Sequence, residues 1–223
     1  MKKEDLEDKE IEKEEIEETK SKDNKIKKDK VLFIQRFAAF IIDVVIVSLI
    51  SSLIAIPFVD NEKISKINDR ATELSQQMVD NKISMEEYTY QYIDVTYDLA
   101  RVNGITNIIA ITVGLLYFVV LQIYRNGQTI GKKLLKIKVI SDDGDLTMNQ
   151  MIFRALIANS LLVDFLSLVF VIFTDKNAYF YCVGLFTLFQ YTITLISIFM
   201  VMYSKDGRAI HDRLVHTRVV REK

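Results

Sequence analysis

Apolar residues run almost unbroken through four stretches of the chain, 37–59, 105–124, 155–173 and 179–202. A hydrocarbon layer about 30 Å thick takes roughly 20 residues of helix to cross, and each stretch is close to that length. A soluble helix so long carries a polar face. Here charge interrupts only twice, at Asp43 in the first stretch and Asp164 in the third. Phe33, Phe58, Tyr124, Tyr179, Phe180, Tyr181 and Tyr203 sit near the ends, where an interfacial aromatic belt lies. The pattern predicts four transmembrane helices. The first stretch is too long for a cleavable signal peptide and no small-residue cleavage site follows it, so it reads as a retained span.

The polar connections carry periodicities of their own. Ile64, Ile67, Ala71, Leu74 and Met78 step by three and four, and so do Met85, Tyr88, Tyr92, Val95, Leu99 and Val102. Ser84 with Glu87 makes a capping box, and Asn103-Gly104 a stop. Residues 60–104 therefore read as an extracytoplasmic helical hairpin, serving as a stiff connector, a cap or a dimer contact. Residues 135–139 and 215–219 alternate with period two, and Asp143-Gly144 marks a turn, which predicts a short cytoplasmic β-ribbon. Thr147 and Gln150 form a capping box ahead of the third span. The fold class expected is an all-α membrane protein of four spans with these two additions.

Charge sets the orientation. Lys and Arg gather before span one (Lys25, Lys27, Lys28, Lys30, Arg36), between spans two and three (Arg125, Lys132, Lys133, Lys136, Lys138, Arg154) and after span four (Lys205, Arg208, Arg213, Arg218, Arg221, Lys223). Only Lys176 lies between spans three and four. The bias places both termini in the cytoplasm of a multi-pass cell-membrane protein. Residues 1–30, nearly all Lys, Glu and Asp, cannot bury a core and read as a disordered, solvated tail ahead of a membrane domain at 31–220. Scarce Gly and Pro argue against a loop-rich β fold. The lone Cys182 excludes an internal disulfide, and two histidines leave little for a transition metal, so no metal or cofactor is expected. The bilayer is the expected partner, with no nucleic acid.

The remaining charges need a reason. An ionisable residue within a span costs about 2.5–3.5 kcal/mol on insertion scales, so it faces a partner, water or a ligand. Arg36 and Asp43, seven residues apart, fall on one helix face. Asp164 lies nearer the middle of span three, behind Arg154. His211 and Asp212 follow span four, beside Arg208 and Arg213. Two readings stand: an ion-pair network that fixes helix facing, or a site that binds a cation, proton or small ligand, with Arg36 modulating Asp43. Gly127-Gln-Thr-Ile-Gly131-Lys132-Lys133 is one residue short between its glycines for a phosphate loop, and Lys133 stands where Ser or Thr belongs. No nucleophile–base constellation appears, so an enzyme is not expected.

These residues resemble a known family. Arg36-Phe-Ala-Ala-Phe-Ile-Ile-Asp43 is similar to the opening R-x-x-A-x-x-x-D of the RDD family, Gly127-Gln-Thr129-Ile-Gly131-Lys132 to its G-x-T-x-G-K, Arg154 to its basic residue before the next span, and Arg208-Ala-Ile-His211-Asp212 through Thr217 to its closing segment. The resemblance maps Arg36 and Asp43 onto the family's arginine and first aspartate, and Asp212 onto the second; Asp164 has no motif position. It implies a mainly bacterial, largely uncharacterised membrane protein. Ligand transport or sodium–proton exchange would be the activity, and four spans would call for a homo-oligomer. The alternative is a non-transporting adaptor or assembly protein, working through the outer hairpin and the basic inner face.

Overall fold

A computed structural model describes residues 31–222, so the reading of the 1–30 tail lies outside the described residues. Helix α1 (Phe33–Ala55) continues through a final turn at Ile56–Phe58, where Pro57 removes a backbone donor and ends it. Asp60 caps α2 (Asn61–Val79) by accepting from Lys63 N at 3.1 Å, and Ser84 caps α3 (Met85–Val102) by accepting from Glu87 N at 3.1 Å. The two helices read from the apolar steps pack against each other, and α3 packs also on the later helices Leu161–Phe173 and Lys176–Tyr203; Leu74, Ile93 and Val95 are buried. Arg70 bridges the pair, 3.9 Å from Asp94 and 3.6 Å from Asp98.

Asn103-Gly104 ends α3, but no loop follows. Helix α4 (Gly104–Tyr124) starts at Gly104 itself and widens into a π turn at Leu116–Leu121. After it come α5 (Ile130–Leu134), β1 (Ile137–Ser141), α6 (Met148–Ala158), α7 (Leu161–Phe173), α8 (Lys176–Tyr203), α9 (Ile210–Leu214) and β2 (Thr217–Arg221). The Tyr97 hydroxyl donates to the carbonyls of Val171 and Thr174 at 3.2 and 3.1 Å, and Lys176 pairs with Asp94 at 2.5 Å. These contacts stitch α3 to the α7–α8 turn at the end of the bundle opposite the strands.

The third apolar stretch is not one straight helix. It breaks at Asn159-Ser160 and bends by 75°, because Ser160 takes a left-handed φ of 58° that no α-helix can carry. Helix α7 is 13 residues long, about 20 Å, and does not reach across a 30 Å layer. Among the described residues, three helices are long and apolar enough to cross a membrane, or four if the bent pair counts as one span. The Thr147–Gln150 capping box forms as expected.

The strands pair antiparallel from Ile137↔Arg221 to Ser141↔Thr217, each two residues later than its alternation suggested. Lys136 and His216 explain the shift. Each holds a positive φ (53° and 51°), so the extended backbone starts only after it. These two residues are equivalent in a repeat: 127–139 aligns without gaps to 207–219, 80 residues on, with Gly127/Gly207, Ile130/Ile210, Leu134/Leu214 and Val139/Val219 identical. Each copy is a positive-φ glycine, a one-turn helix and a strand following a long apolar helix. Val139 pairs with Val219, so the ribbon joins its two halves about a local two-fold. The halves are α1, α4, α5, β1 and α6–α7, α8, α9, β2. The α2–α3 pair is an insertion in the first.

Candidate functional site

Asp43, 1% exposed on α1, is surrounded by donors. The Tyr117 hydroxyl donates to Oδ1 at 2.6 Å, the Gly131 amide to the same oxygen at 2.8 Å, and the Thr129 hydroxyl to Oδ2 at 2.5 Å. Thr129 is also the N-cap of α5, and the Ile130 amide donates to the Tyr117 oxygen at 3.2 Å. The carboxylate thus completes the capping of α5, whose first amides have no partner within so short a helix. The π turn in α4 swings Tyr117 into place.

Asp212, 0% exposed, takes both arginines. Arg36 Nη1 donates to Oδ2 at 2.8 Å, Arg154 Nη1 donates to Oδ1, and the Ala209 amide donates to Oδ2 at 3.1 Å. Arg154 also donates to Thr217 Oγ1 at 2.7 Å. Arg36 and Asp43 share a face as expected, yet the arginine's ion pair runs to Asp212, on the other half of the molecule. Burial by itself would raise the Asp212 pKa; Arg154, His211 and Arg36 outweigh it and hold the carboxyl well below its usual range.

His211, beside Asp212 at 3.5 Å, is pushed the other way: burial lowers it to about 3 against the pull of Asp212. Its folded pKa lies below the unfolded value of about 6.5, so the unfolded chain takes up the proton first and stability drains as pH falls from about 6.5 toward 3. The purified protein should melt at progressively lower temperature between pH 6.5 and 4.5. Asp212 adds to this only below about pH 4. In His211→Asn the decline should flatten; an unchanged slope would assign the acid sensitivity elsewhere.

Lys132 is the repeat equivalent of Asp212 and turns toward the same centre. Both arginines have gone to Asp212, and among the described residues Lys132 Nζ has no carboxylate partner. Burial, with Arg154 nearby, lowers its pKa to about 7. It lines a cavity of about 240 Å³ together with Arg36, Asp43, Arg154 and His211. The cavity is bounded by α1, α6 and α8 and floored by the two one-turn helices and the ribbon. Among the described residues, Ser197 Oγ on its α8 wall and Nε of Arg36 are buried with no hydrogen-bond partner.

Other expected site residues stand apart. Arg208 pairs with Asp142 at 2.5 Å and Asp206 at 3.5 Å, bracing the ribbon's turn. Gly127 serves the backbone: its φ is 88°, and a Cβ there would lie 2.0 Å from the Val139 carbonyl. Asp164 lies in the first turn of α7, exposed and, among the described residues, without a side-chain partner. Tyr117 and Ser197 were not among the expected residues. A hydroxyl in an uncharged span was the signal for each, and the 80-residue repeat was the signal that Lys132 and Asp212 occupy equivalent positions.

A sequence model of the RDD family matches residues 31–216. No curated protein and no solved structure matches the chain.

Proposed function

This chain belongs to the RDD family, and on that premise we propose that it is a four-span carrier of a small ligand in the cell membrane, with both termini cytoplasmic and the α2–α3 pair an outer helical hairpin. One observation carries the reading. Charged residues from both halves converge on a cavity in which polar atoms remain unpartnered. Carriers built from paired repeats hold their sites at the repeat interface. Most buried polar groups are paired, so unpartnered donors on the wall of a cavity call for a ligand or water.

Cation–proton exchange at Asp43 fits less well. A cation needs open acceptor oxygens, and both oxygens of Asp43 already receive donors. A homo-oligomer is favoured by Asp164, because a carboxylate on an outward face of an apolar segment calls for a covering partner.

The test uses a Cys182→Ser background carrying Ser197→Cys in sealed proteoliposomes. A carrier exposes the cavity alternately, so a membrane-impermeant maleimide should label Cys at 197 from either side. Labelling from one side alone under all gradients would overturn transport and favour the adaptor reading.

A further inference from the structure

We propose that the cavity binds a single-chain anionic amphiphile, its head group held by Lys132, Ser197 and the Nε of Arg36, and its chain lying between α1 and α8. This deepens the carrier reading and rests on the cavity being a ligand site. Among the described residues the Ser197 hydroxyl and the Arg36 Nε–H are buried without a hydrogen-bond partner, and the Lys132 ammonium has no carboxylate partner; all three can donate. The oxygens of Asp43 and Asp212 are occupied by donors, so the vacant capacity suits an anion. Arg36, Arg154 and Lys132 face two carboxylates, with His211 uncharged near neutral pH; when Lys132 is protonated, as it increasingly is below about pH 7, the cluster carries one positive charge in excess.

The rest of the wall is apolar. Phe37, Phe40, Ile193, Ile198 and Val201 line it, with Phe37 at 47% and Phe40 at 40% exposure marking the mouth on the outer flank of α1. In a bilayer that flank meets lipid, so a chain could enter sideways. A small hydrated anion would lose its water shell here for three donors and an apolar wall, whereas an attached chain gains from the same wall. At about 240 Å³ the space is smaller than a typical small-molecule pocket of roughly 300–1,000 Å³, which admits one chain rather than two.

The experiment is photolabelling of the wild-type chain in phosphatidylcholine proteoliposomes with a diazirine-bearing fatty acid, mapped by peptide mass spectrometry. Adducts should concentrate on residues 33–40 and 193–201. Excess dodecanoate should compete; dodecanol and inorganic phosphate should not. Losing a charged hydrogen-bond donor costs about 1.5–3 kcal/mol, so Lys132→Met should cut labelling about tenfold or more while Lys132→Arg largely keeps it. Lys132→Met should also melt no lower than wild type, because it removes a poorly solvated charge. Ser197→Ala, which deletes only a hydroxyl, should lower labelling several-fold and gives an independent readout should Lys132→Met fail to fold. Adducts spread evenly over the outward faces, or competition by dodecanol equal to that by dodecanoate, would overturn the proposal. Full competition by phosphate would replace the amphiphile by a free anion. Specific labelling with one-sided maleimide access would retain the ligand and discard transport.

Discussion

Asp212→Asn should leave little folded protein. The substitution keeps the volume of the side chain and removes the negative charge on which Arg36 and Arg154 both close. The two guanidiniums have only 14% and 7% of their side-chain surface exposed, so neither can turn to water for compensation. They would be left as buried like charges, with a neutral His211 beside them. Removing one partner of a buried ion pair costs about 3–5 kcal/mol. That is comparable to the whole stability of many domains, about 5–15 kcal/mol. One amide N–H would also confront either an arginine or the Ala209 amide, both donors. Gel filtration of detergent-solubilised protein should show aggregate in place of a monodisperse peak. Arg36→Met should be milder, since Arg154 still neutralises Asp212. A monodisperse Asp212→Asn protein with wild-type melting would show that the network does not hold the two halves together.

The asymmetry between these two variants reflects what could and could not be read from the chain. Apolar run length displayed the long helices, because in lipid the helix must satisfy its own backbone and few other patterns serve. The third run looked like the others, and its bend depends on one left-handed Ser160, which composition does not reveal. Helical spacing put Arg36 and Asp43 on one face, but a face has many neighbours. Spacing along one helix cannot say that the arginine reaches Asp212, 176 residues away, while Asp43 turns to α5. Two signals were present in the residues themselves. The 80-residue repeat placed Lys132 and Asp212 at matching positions, and the hydroxyls of Tyr117 and Thr129 were side-chain donors available to a carboxylate that has no ion pair among the described residues.

Gly131→Ala should be nearly as damaging as loss of the buried charge, for a steric reason. A Cβ at this position would lie 2.3 Å from the Ala39 carbonyl oxygen and 2.8 Å from Asp43 Oδ1. The carbonyl belongs to the backbone of α1 and cannot swing aside, and Ala39 is itself 1% exposed. Relief requires α5 to withdraw from α1, which breaks the Gly131 amide bond to Asp43 and draws Thr129 away with it. Overpacking of about 1–3 kcal/mol would then add to about 1–3 kcal/mol for buried groups left unsatisfied. Gly184→Ala is the control. It sits in α8 with nothing within 4 Å of a new Cβ, so helix propensity should make it neutral or stabilising by up to about 1 kcal/mol. Thermal melting of the two variants in one detergent separates the cases: a marked drop for the first and none for the second. Equal melting would mean that α5 can leave α1 at no cost. The repeat carries the glycine in one half only. Its equivalent in the second half is His211, whose side chain lines the cavity, so the requirement for a residue without a Cβ belongs to the close approach of α5 to α1 at Ala39 and Asp43 and not to the repeat itself.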